Sequence, residues 1–339
     1  MSKGIVLVTG ASGYIAGFAI QQLIAAGWTV RGTIRNLGKA DAVRRSLGVT
    51  ADELALHAAD LIDDAGWAAA CTGCDYVLHI ASPIPSSVPK HDDELIVPAR
   101  DGALRLLRAA RDTGVRRVVM TSSVAAICYG HGGTGHVFTE ADWTNPDSAD
   151  AYAYVRSKTI AERAARDFIA AEGGALEFCT INPGLVLGPV LGSDFSTSLV
   201  VVQKLLNGDL PGSPRLGFAV CDVRDIADAH LRAMTAPGVN GGRFLCAGEW
   251  LWMKDVAAIL KSRLGDRARR VPSRSLPDFL VRLSALFDPQ VKMVLSELGN
   301  ERRCDAGHAK SVLGWVPRAA EESVVDTARS LIEHGMVKA

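Results

Sequence analysis

The sequence has no excess of charge of either sign, because 37 lysines and arginines balance 37 aspartates and glutamates. Without such an excess, we expect neither a nucleic acid nor an anionic membrane surface as a partner. No apolar run approaches the ~20 residues that a membrane-spanning helix needs. The start, MSKGIVLVTG, lacks the layout of a signal peptide. These absences predict a soluble protein.

Cysteine is scarce, with 7 residues spread over a chain of 339. An odd number in a long chain argues against a disulfide framework, so we expect reduced thiols and a cytoplasmic location. Cys71 and Cys74 form a CxxC motif, but no second pair of ligands accompanies it. We therefore predict no metal site.

Internal repeats and low-complexity runs are also absent, and short segments alternate with longer ones instead. The short segments are rich in Val and Ile and have the features of strands. They lie at 4–10, 28–35, 54–60, 75–82, 116–123 and 176–184. Segments with helical spacing lie between or beside them, at 14–27, 40–48, 92–114 and 151–173. This order predicts an α/β fold of the Rossmann type, a doubly wound parallel sheet with helices on both faces.

A glycine-rich stretch, VLVTGASGYIAG, follows the first predicted strand and opens an apolar helix. Gly10 permits a tight turn, and Gly13 lets the backbone approach a pyrophosphate at the positive end of the helix. The third small position is Ala16, with Gly17 beside it. This context predicts a dinucleotide site, although such glycines also serve plain strand-to-helix turns.

The end of the second predicted strand lacks the carboxylate that usually bonds the adenosine ribose in an NAD site. The stretch TVRGTIRNLGK contains Arg31, Arg35 and Lys39, and no acid precedes Asp41. Cations at this place suit the 2′-phosphate of NADP(H), because arginine can bind phosphate with two hydrogen bonds. The alternative is a pair of surface cations at the head of a helix.

The regular alternation weakens after residue 183, where loops, two more predicted helices and an apolar, proline-containing segment follow. We predict an NADP-binding Rossmann domain at 1–183, with a returning segment near 216–248. Residues 184–215 and 249–339 are expected to form a smaller, substrate-binding lobe. Ligands of such sheets bind at the carboxyl ends of the strands, next to this lobe.

The stretch AYAYVRSKTIAER, residues 151–163, has no helix breaker and places Tyr154 and Lys158 on one helical face. Tyr152 has Arg156 at the same spacing, so spacing alone does not choose between the two tyrosines. Taken alone, the pattern favours the alternative of an amphipathic helix with a packed tyrosine and a solvated lysine.

The motifs TGASGYIA, AADL, HIASP, TSS and YAYVRSK resemble, in order and spacing, those of the extended short-chain dehydrogenase/reductases. HIASPIP, ELIVPARDG and INPGLVLGP are similar to those of the dihydroflavonol reductase-like branch, NADPH-dependent aldehyde and ketone reductases. The resemblance covers residues 4 to about 235. The helix VPARDGALRLL departs from the family pattern at Ala103 and Arg105.

The resemblance implies that Tyr154 is the general acid, that Lys158 lowers its pKa and binds ribose, and that Ser123 orients the substrate carbonyl. Ser122 is the nearest competitor for the serine position. These residue types suit carbonyl reduction, in which carbon receives a hydride and oxygen a proton. A free tyrosine has a pKa near ~10, and a nearby ammonium group favours its ionised form.

The resemblance also implies a cofactor site for NADP(H) that is drawn from many elements. Its predicted residues are Thr9, Gly10, Ser12, Gly13, Tyr14, Ile15, Arg35, Lys39, Asp60, Leu61, Ile80, Ala81, Ser82, Tyr154, Lys158, Pro183, Leu185, Val186 and Ser198. Substrate contacts are predicted at Pro83, Ile84, Ile127 and Tyr129. Their apolar character favours an apolar or aromatic carbonyl substrate, and we expect a monomer or a homodimer.

Three functions fit these observations. The first is NADPH-dependent reduction of an aldehyde or ketone to an alcohol, which is reversible. A nucleotide-sugar epimerase or dehydratase would share the catalytic residues, but normally keeps an acid where Ile34 and Arg35 stand here. A non-enzymatic NADP sensor would tend to lose the tyrosine or the lysine, and both are present.

Overall fold

The computed structural model describes residues 3–83, 89–132, 135–192, 196–288, 291–292 and 294–338. Within these residues, seven parallel strands form a central sheet in the order β10-β7-β5-β4-β1-β2-β3. The strands are β1 Ile5–Val8, β2 Thr29–Ile34, β3 Leu54–Ala58, β4 Tyr76–His79, β5 Arg117–Thr121, β7 Glu177–Pro183 and β10 Arg243–Cys246. The predicted Rossmann-type fold class is confirmed.

Helices cover both faces of this sheet, since each strand directs alternate side chains to opposite faces. Val6 and Val8 pack in the cluster that contains α1 and α7, whereas Leu7 packs in the cluster that contains α3, α4 and α5. These helices are α1 Tyr14–Ala25, α3 Trp67–Cys71, α4 Asp93–Asp112, α5 Ala153–Glu172 and α7 Val223–Thr235, and α2 Ala40–Leu47 follows β2. Burial on both faces explains why the strands are almost continuously apolar.

A second layer follows β7. Within the described chain, β8 Leu185–Leu187, β9 Gly217–Asp222 and β11 Trp250–Trp252 form a three-stranded sheet in the order β11-β9-β8. Apolar residues of α6 Val200–Asn207, α8 Met253–Leu264 and α11 Ala320–Glu333 pack against it. Two further helices in the described part of the chain are α9 Asp278–Ser284 and α10 Gly307–Leu313.

The predicted returning segment, near 216–248, contains β9, α7 and β10. Its first strand, β9, belongs to the three-stranded sheet, because β8 pairs with it directly. Only α7 and β10 rejoin the large sheet, where β10 extends the edge beyond β7. The division into a cofactor-binding domain and a substrate-binding lobe stays a prediction.

A short parallel pairing joins the end of the chain to its middle: β12 Arg303–Cys304 lies beside β6 Val137–Phe138. Just before β12, Arg302 donates to the Cys128 carbonyl over 3.1 Å, across 174 residues of sequence. The segment near residue 300 is thereby held against the loop that follows β5. None of the described helices has the length and apolar character to cross a membrane.

Candidate active site

Gly10 turns the chain between β1 and α1 with a positive φ of 67°, a conformation that suits glycine. A Cβ at Gly10 would lie 3.1 Å from the Cα of Ala81, just past β4. The N–H of Gly10 donates to the Thr33 hydroxyl over 3.1 Å. The glycine loop is therefore drawn tightly against the carboxyl ends of β2 and β4.

The amino terminus of α1 offers free backbone donors. The bond from the Gly17 N–H to the Gly13 carbonyl measures 2.9 Å, and residues 14–16 have no earlier acceptor within the helix. Among the described residues, no side chain caps this end, and its first turn contains no acid. Ser12 and Gly13 are exposed beside it. These donors and the helix dipole fit a pyrophosphate.

Thr9 joins the ends of β1 and β4 beneath the loop. Its hydroxyl accepts the N–H groups of Ile80 and Ala81, each over 3.0 Å. Its single proton is then donated to Nδ1 of His79, 2.9 Å away. Burial, with a smaller contribution from Lys158, lowers the pKa of His79 to about 3. His79 is therefore neutral near pH 7 and holds Thr9 in place.

The three cations of the second-strand region fall into two groups. Arg35 and Lys39 are exposed, and within the described part of the chain their side chains have no hydrogen-bond or ion-pair partner. Arg31 instead donates to the carbonyls of Ala70 and Thr72 at the end of α3, over 3.3 and 2.6 Å. Arg35 and Lys39 remain available to a ligand phosphate, and Arg31 does not.

Asp60 and Leu61 follow β3 and are held by the neighbouring helix α4. The Leu61 carbonyl accepts from Arg105 over 2.7 Å, and a Cβ at Gly102 would lie 2.7 Å from the Leu61 side chain. Among the described residues, the Asp60 carboxylate accepts a single, long bond, from the Ile62 N–H over 3.3 Å. Arg105, which departs from the family pattern, thus supports the backbone of the predicted adenine contact.

Tyr154 and Ser123 are brought together from two elements. Tyr154 lies in the first turn of α5, and Ser123 follows β5, where its hydroxyl also accepts the Ala125 N–H over 3.1 Å. Burial raises the pKa of Tyr154, and the interaction of its phenol with the Ser123 side chain opposes that rise. The phenol is therefore protonated at neutral pH and can act as a proton donor.

Lys158 lies one turn further along α5 and is only 7% exposed. Its ammonium donates to the Thr121 carbonyl at the end of β5 over 3.2 Å, which leaves two of its three protons for other acceptors. Burial lowers the pKa of Lys158 to about 8, against the opposing effect of Glu162. The side chain is thus a buried cation and not the solvated lysine of the alternative interpretation.

Ser122 and Ser123, the two candidates for the serine position, have different partners in the structure. Ser122 donates to the buried Glu162 carboxylate over 2.5 Å, whereas Ser123 meets Tyr154. Tyr152, in turn, packs edge-on against the ring of Tyr129, with the ring centroids 6.0 Å apart. Of the candidate pairs, the structure brings together Ser123 and Tyr154.

The predicted nicotinamide residues line the step from β7 to β8. Pro183 and Val186 are buried, and Leu185 is half-buried between them. Ser198, expected to reach a phosphate, donates instead to the Val186 carbonyl over 2.7 Å. Its hydroxyl would have to rotate away from this bond to donate to a ligand.

The predicted substrate residues have different surroundings. Pro83 borders a small pocket that Ser82, Thr121 and Lys158 also line. Ile127 is 0% exposed and offers no surface to a ligand, so its predicted contact is corrected: the side chain belongs to the core. Tyr129 is buried beneath Arg302, whose guanidinium carbon lies 4.1 Å from its ring centroid. Ile84 lies outside the described residues.

Glu162 is a residue of this site that sequence reasoning missed. Its side chain is fully buried and lies one turn beyond Lys158 on α5, so that Tyr154, Lys158 and Glu162 share one helical face. The spacing in AYAYVRSKTIAER contained that signal, but a glutamate at this position is as typical of a solvated helix surface. Its burial depends on Arg243, far along the chain.

Comparisons with known proteins agree with this geometry. The model of the NAD dependent epimerase/dehydratase family matches residues 6–247. Cinnamoyl-CoA reductase 1 of Petunia hybrida is 32% identical over 99% of this chain and 94% of its own length. Dihydroflavonol 4-reductase of Zea mays is 32% identical over 77% of this chain and 74% of its own length. Yeast methylglyoxal/isovaleraldehyde reductase Gre2, solved with NADPH, superimposes with a TM-score of 0.82 at 25% identity, covering 98% of this chain and 100% of that one.

The parallel sheet, its glycine loop and the clustered Ser123, Tyr154 and Lys158 define a nicotinamide-dependent oxidoreductase of the extended short-chain dehydrogenase/reductase class. The chain belongs to the NAD dependent epimerase/dehydratase family, and the two plant relatives described above are reductases. The predicted family and enzyme class are confirmed. NADPH, the predicted cofactor, is the one that the yeast reductase structure holds.

Proposed function

We propose that this protein reduces an aldehyde or ketone to the alcohol with NADPH as the hydride donor. The observation that carries the proposal is the interaction of the Ser123 and Tyr154 side chains, one helical turn from the buried ammonium of Lys158 on α5. A protonated phenol, a second hydroxyl and a cation are the groups that a carbonyl oxygen needs as it gains negative charge.

In this mechanism, bound NADPH supplies the hydride for the carbonyl carbon. Ser123 donates a hydrogen bond to the carbonyl oxygen and orients it, and Tyr154 gives that oxygen its proton. Lys158 binds the ribose hydroxyls with the donors that Thr121 leaves free, and its charge favours the phenolate that remains. In the reverse direction, the same phenolate accepts the alcohol proton.

The cofactor would be held along the carboxyl ends of the strands. The free N–H groups of α1 suit the pyrophosphate, and the unpaired carboxylate oxygen of Asp60 suits the adenine amine. Arg35 and Lys39 suit the 2′-phosphate, because both are exposed cations without a protein partner in the described residues. This charge pattern supports NADP(H) over NAD(H) and disfavours a nucleotide-sugar epimerase.

The substrate class is proposed from the relatives and from the pocket. The yeast neighbour is named for methylglyoxal and isovaleraldehyde, and the plant relatives for cinnamoyl-CoA and dihydroflavonol. All of these compounds carry a reducible carbonyl group. With Pro83 at the pocket beside Lys158, we propose an uncharged, apolar or aromatic carbonyl compound.

The test is the loss of NADPH absorbance with a panel of alkyl and aryl aldehydes, ketones, cinnamoyl-CoA and UDP-sugars. We expect stoichiometric oxidation of NADPH by at least one carbonyl compound and none by UDP-sugars. Interconversion of UDP-sugars without net cofactor oxidation would instead identify an epimerase. NADPH binding without turnover of any compound would favour the sensor.

A further inference from the structure

Glu162 lies at the centre of a buried polar network next to the proposed catalytic residues. Its carboxylate accepts hydrogen bonds from five side chains, four of which lie outside its own helix, α5. The partners are Ser122 at 2.5 Å, Arg243 at 2.7 Å, Asn182 at 2.9 Å, Thr180 at 3.2 Å and Arg166 at 3.2 Å.

Two of these bonds fix the backbone that presents Ser123. Ser122 precedes Ser123 directly, and its hydroxyl is held by the carboxylate. The Asn182 amide bonds Glu162 and also donates to the Ser123 carbonyl over 3.2 Å. Glu162 is thereby connected to both sides of Ser123, although it does not touch the Ser123 hydroxyl.

Glu162 remains ionised despite its complete burial. Burial raises the pKa of this carboxyl group, but Arg243, Arg166 and the hydrogen bonds outweigh that effect, and the pKa lies below its usual value. Arg243 is itself held by the carbonyls of Ala126, Glu140 and Asp142. A buried ion pair gains little stability compared with apolar packing, so a stability role alone explains this network poorly.

We propose that Glu162 is a positioning residue of the active site, which holds Ser123 within reach of Tyr154 and keeps Lys158 in its ammonium form. This inference rests on the proposed reductase function for its kinetic consequences. Its effect on Lys158 is independent of the substrate, because it depends only on charges within the protein.

The charged and titratable groups around Lys158 determine the direction of the effect. Glu162 faces it from α5, His79 faces it from β4 and is neutral near pH 7, and Tyr154 precedes it on α5. Arg166 and Arg243 contact the other side of Glu162. Glu162 opposes the lowering of the Lys158 pKa by burial, so its neutralisation lowers that pKa further below about 8.

The first test is Glu162→Gln, with Glu172→Gln as the matched control in an exposed position of the same helix. Activity that needs the ammonium is present below the Lys158 pKa and is lost as the pH rises through it. We expect the alkaline limb of kcat to move to lower pH by about 1 or more and kcat at its optimum to fall about tenfold to a hundredfold. Unchanged kcat and an unchanged limb in a folded variant would overturn the proposal.

A second variant, Ser122→Ala, separates geometry from charge. It removes one bond to Glu162 and leaves the carboxylate in place, so kcat should fall about tenfold while the alkaline limb stays at the wild-type pH. Circular dichroism shows whether Glu162→Gln folds. If it does not, the positioning role is tested by Ser122→Ala alone, and a wild-type kcat in that variant would refute it.

The protonation of Lys158 can be measured without turnover by 13C NMR titration of its side chain, assigned with Lys158→Met. We expect a lower pKa in Glu162→Gln than in the wild type and no change in Glu172→Gln. An equal pKa in all three proteins would refute the charge effect. The wild type could reduce no carbonyl compound while the Lys158 pKa is still lower in Glu162→Gln than in the wild type. That result would refute the proposed function and leave the electrostatic inference intact.

Discussion

Two groups of cations in this molecule have different surroundings. Lys158 on α5 and Arg243 on β10 are buried, Arg166 on α5 is partly buried, and each donates to protein acceptors. At the end of β2, Arg35 and Lys39 are exposed and have no side-chain partner within the described residues.

The difference indicates two ways of using a cation. A buried cation is fixed by its protein partners, and water and salt ions screen it little. Such groups act through geometry, and their loss has a large effect. An exposed cation without a protein partner is available to a charged ligand, and its contribution is smaller and depends on ionic strength.

The largest expected effect is at the buried site. Tyr154→Phe removes the proton donor and keeps the ring, so turnover should fall by ~10² to 10⁴ while NADPH affinity is unchanged. Steady-state kinetics and fluorescence titration with NADPH measure the two quantities. Tyr152→Phe is the matched control, because the Tyr152 ring packs against Tyr129 and the residue lies just before the first residue of α5. Equal losses in the two variants would show that the wrong tyrosine has been chosen.

Ser123→Ala is expected to rank next. The Ser123 hydroxyl stabilises charge that develops on the carbonyl oxygen, and removal of one such donor costs ~10² in kcat. Ser122→Ala should lose less, because its hydroxyl acts through Glu162 only. Full inactivation of Ser122→Ala with an active Ser123→Ala would mean that the two serines have exchanged roles.

Arg35→Ala tests the exposed site. Loss of a charge-assisted contact with the 2′-phosphate should cost roughly 1.5–3 kcal/mol, about tenfold to a hundredfold in the ratio of kcat/KM for NADPH to that for NADH. NADH kinetics should hardly change. Arg45→Ala, an exposed cation further along α2, is the control. A wild type that prefers NADH would show that these cations are surface charge only.

The smallest effect should come from salt. Raising the ionic strength weakens contacts between exposed charges, so KM for NADPH should rise more than KM for NADH. The kcat values should respond little, since Lys158 is buried. A kcat that falls as steeply as NADPH affinity would remove the distinction between the two sites.

Local patterns were sufficient to predict the strands of the large sheet up to β7 and most of the helices between them. β1 and α1 follow from a short apolar run, a glycine turn and helical periodicity, all within 25 residues. The pairing of β6 with β12 had no such signal, because two-residue strands have no periodicity of their own. Their stability depends on contacts with distant parts of the chain.

The candidate site likewise contains residues with a local sequence signal and residues whose environment depends on distant elements. A spacing of four residues placed Tyr154 and Lys158 on one helical face, the family resemblance chose Tyr154 over Tyr152, and Arg35 was predicted from its place after a strand. The burial of Glu162 and Ile127 was not, because it depends on how β5, β7 and β10 pack against α5. Residues whose environment comes from distant elements are the ones that the sequence pattern misassigned or missed.

The contact between Arg302 and Cys128 has a consequence for the newly made protein. Ribosomes add about 5–20 residues per second, so the 174 residues between these two positions take about 9–35 s to synthesise. During that interval the strands up to β7 can emerge and pair, but Tyr129 has neither Arg302 above its ring nor β12 beside the neighbouring β6. A chaperone that recognises nascent chains therefore meets this protein with its sheet formed and the loop after β5 uncovered.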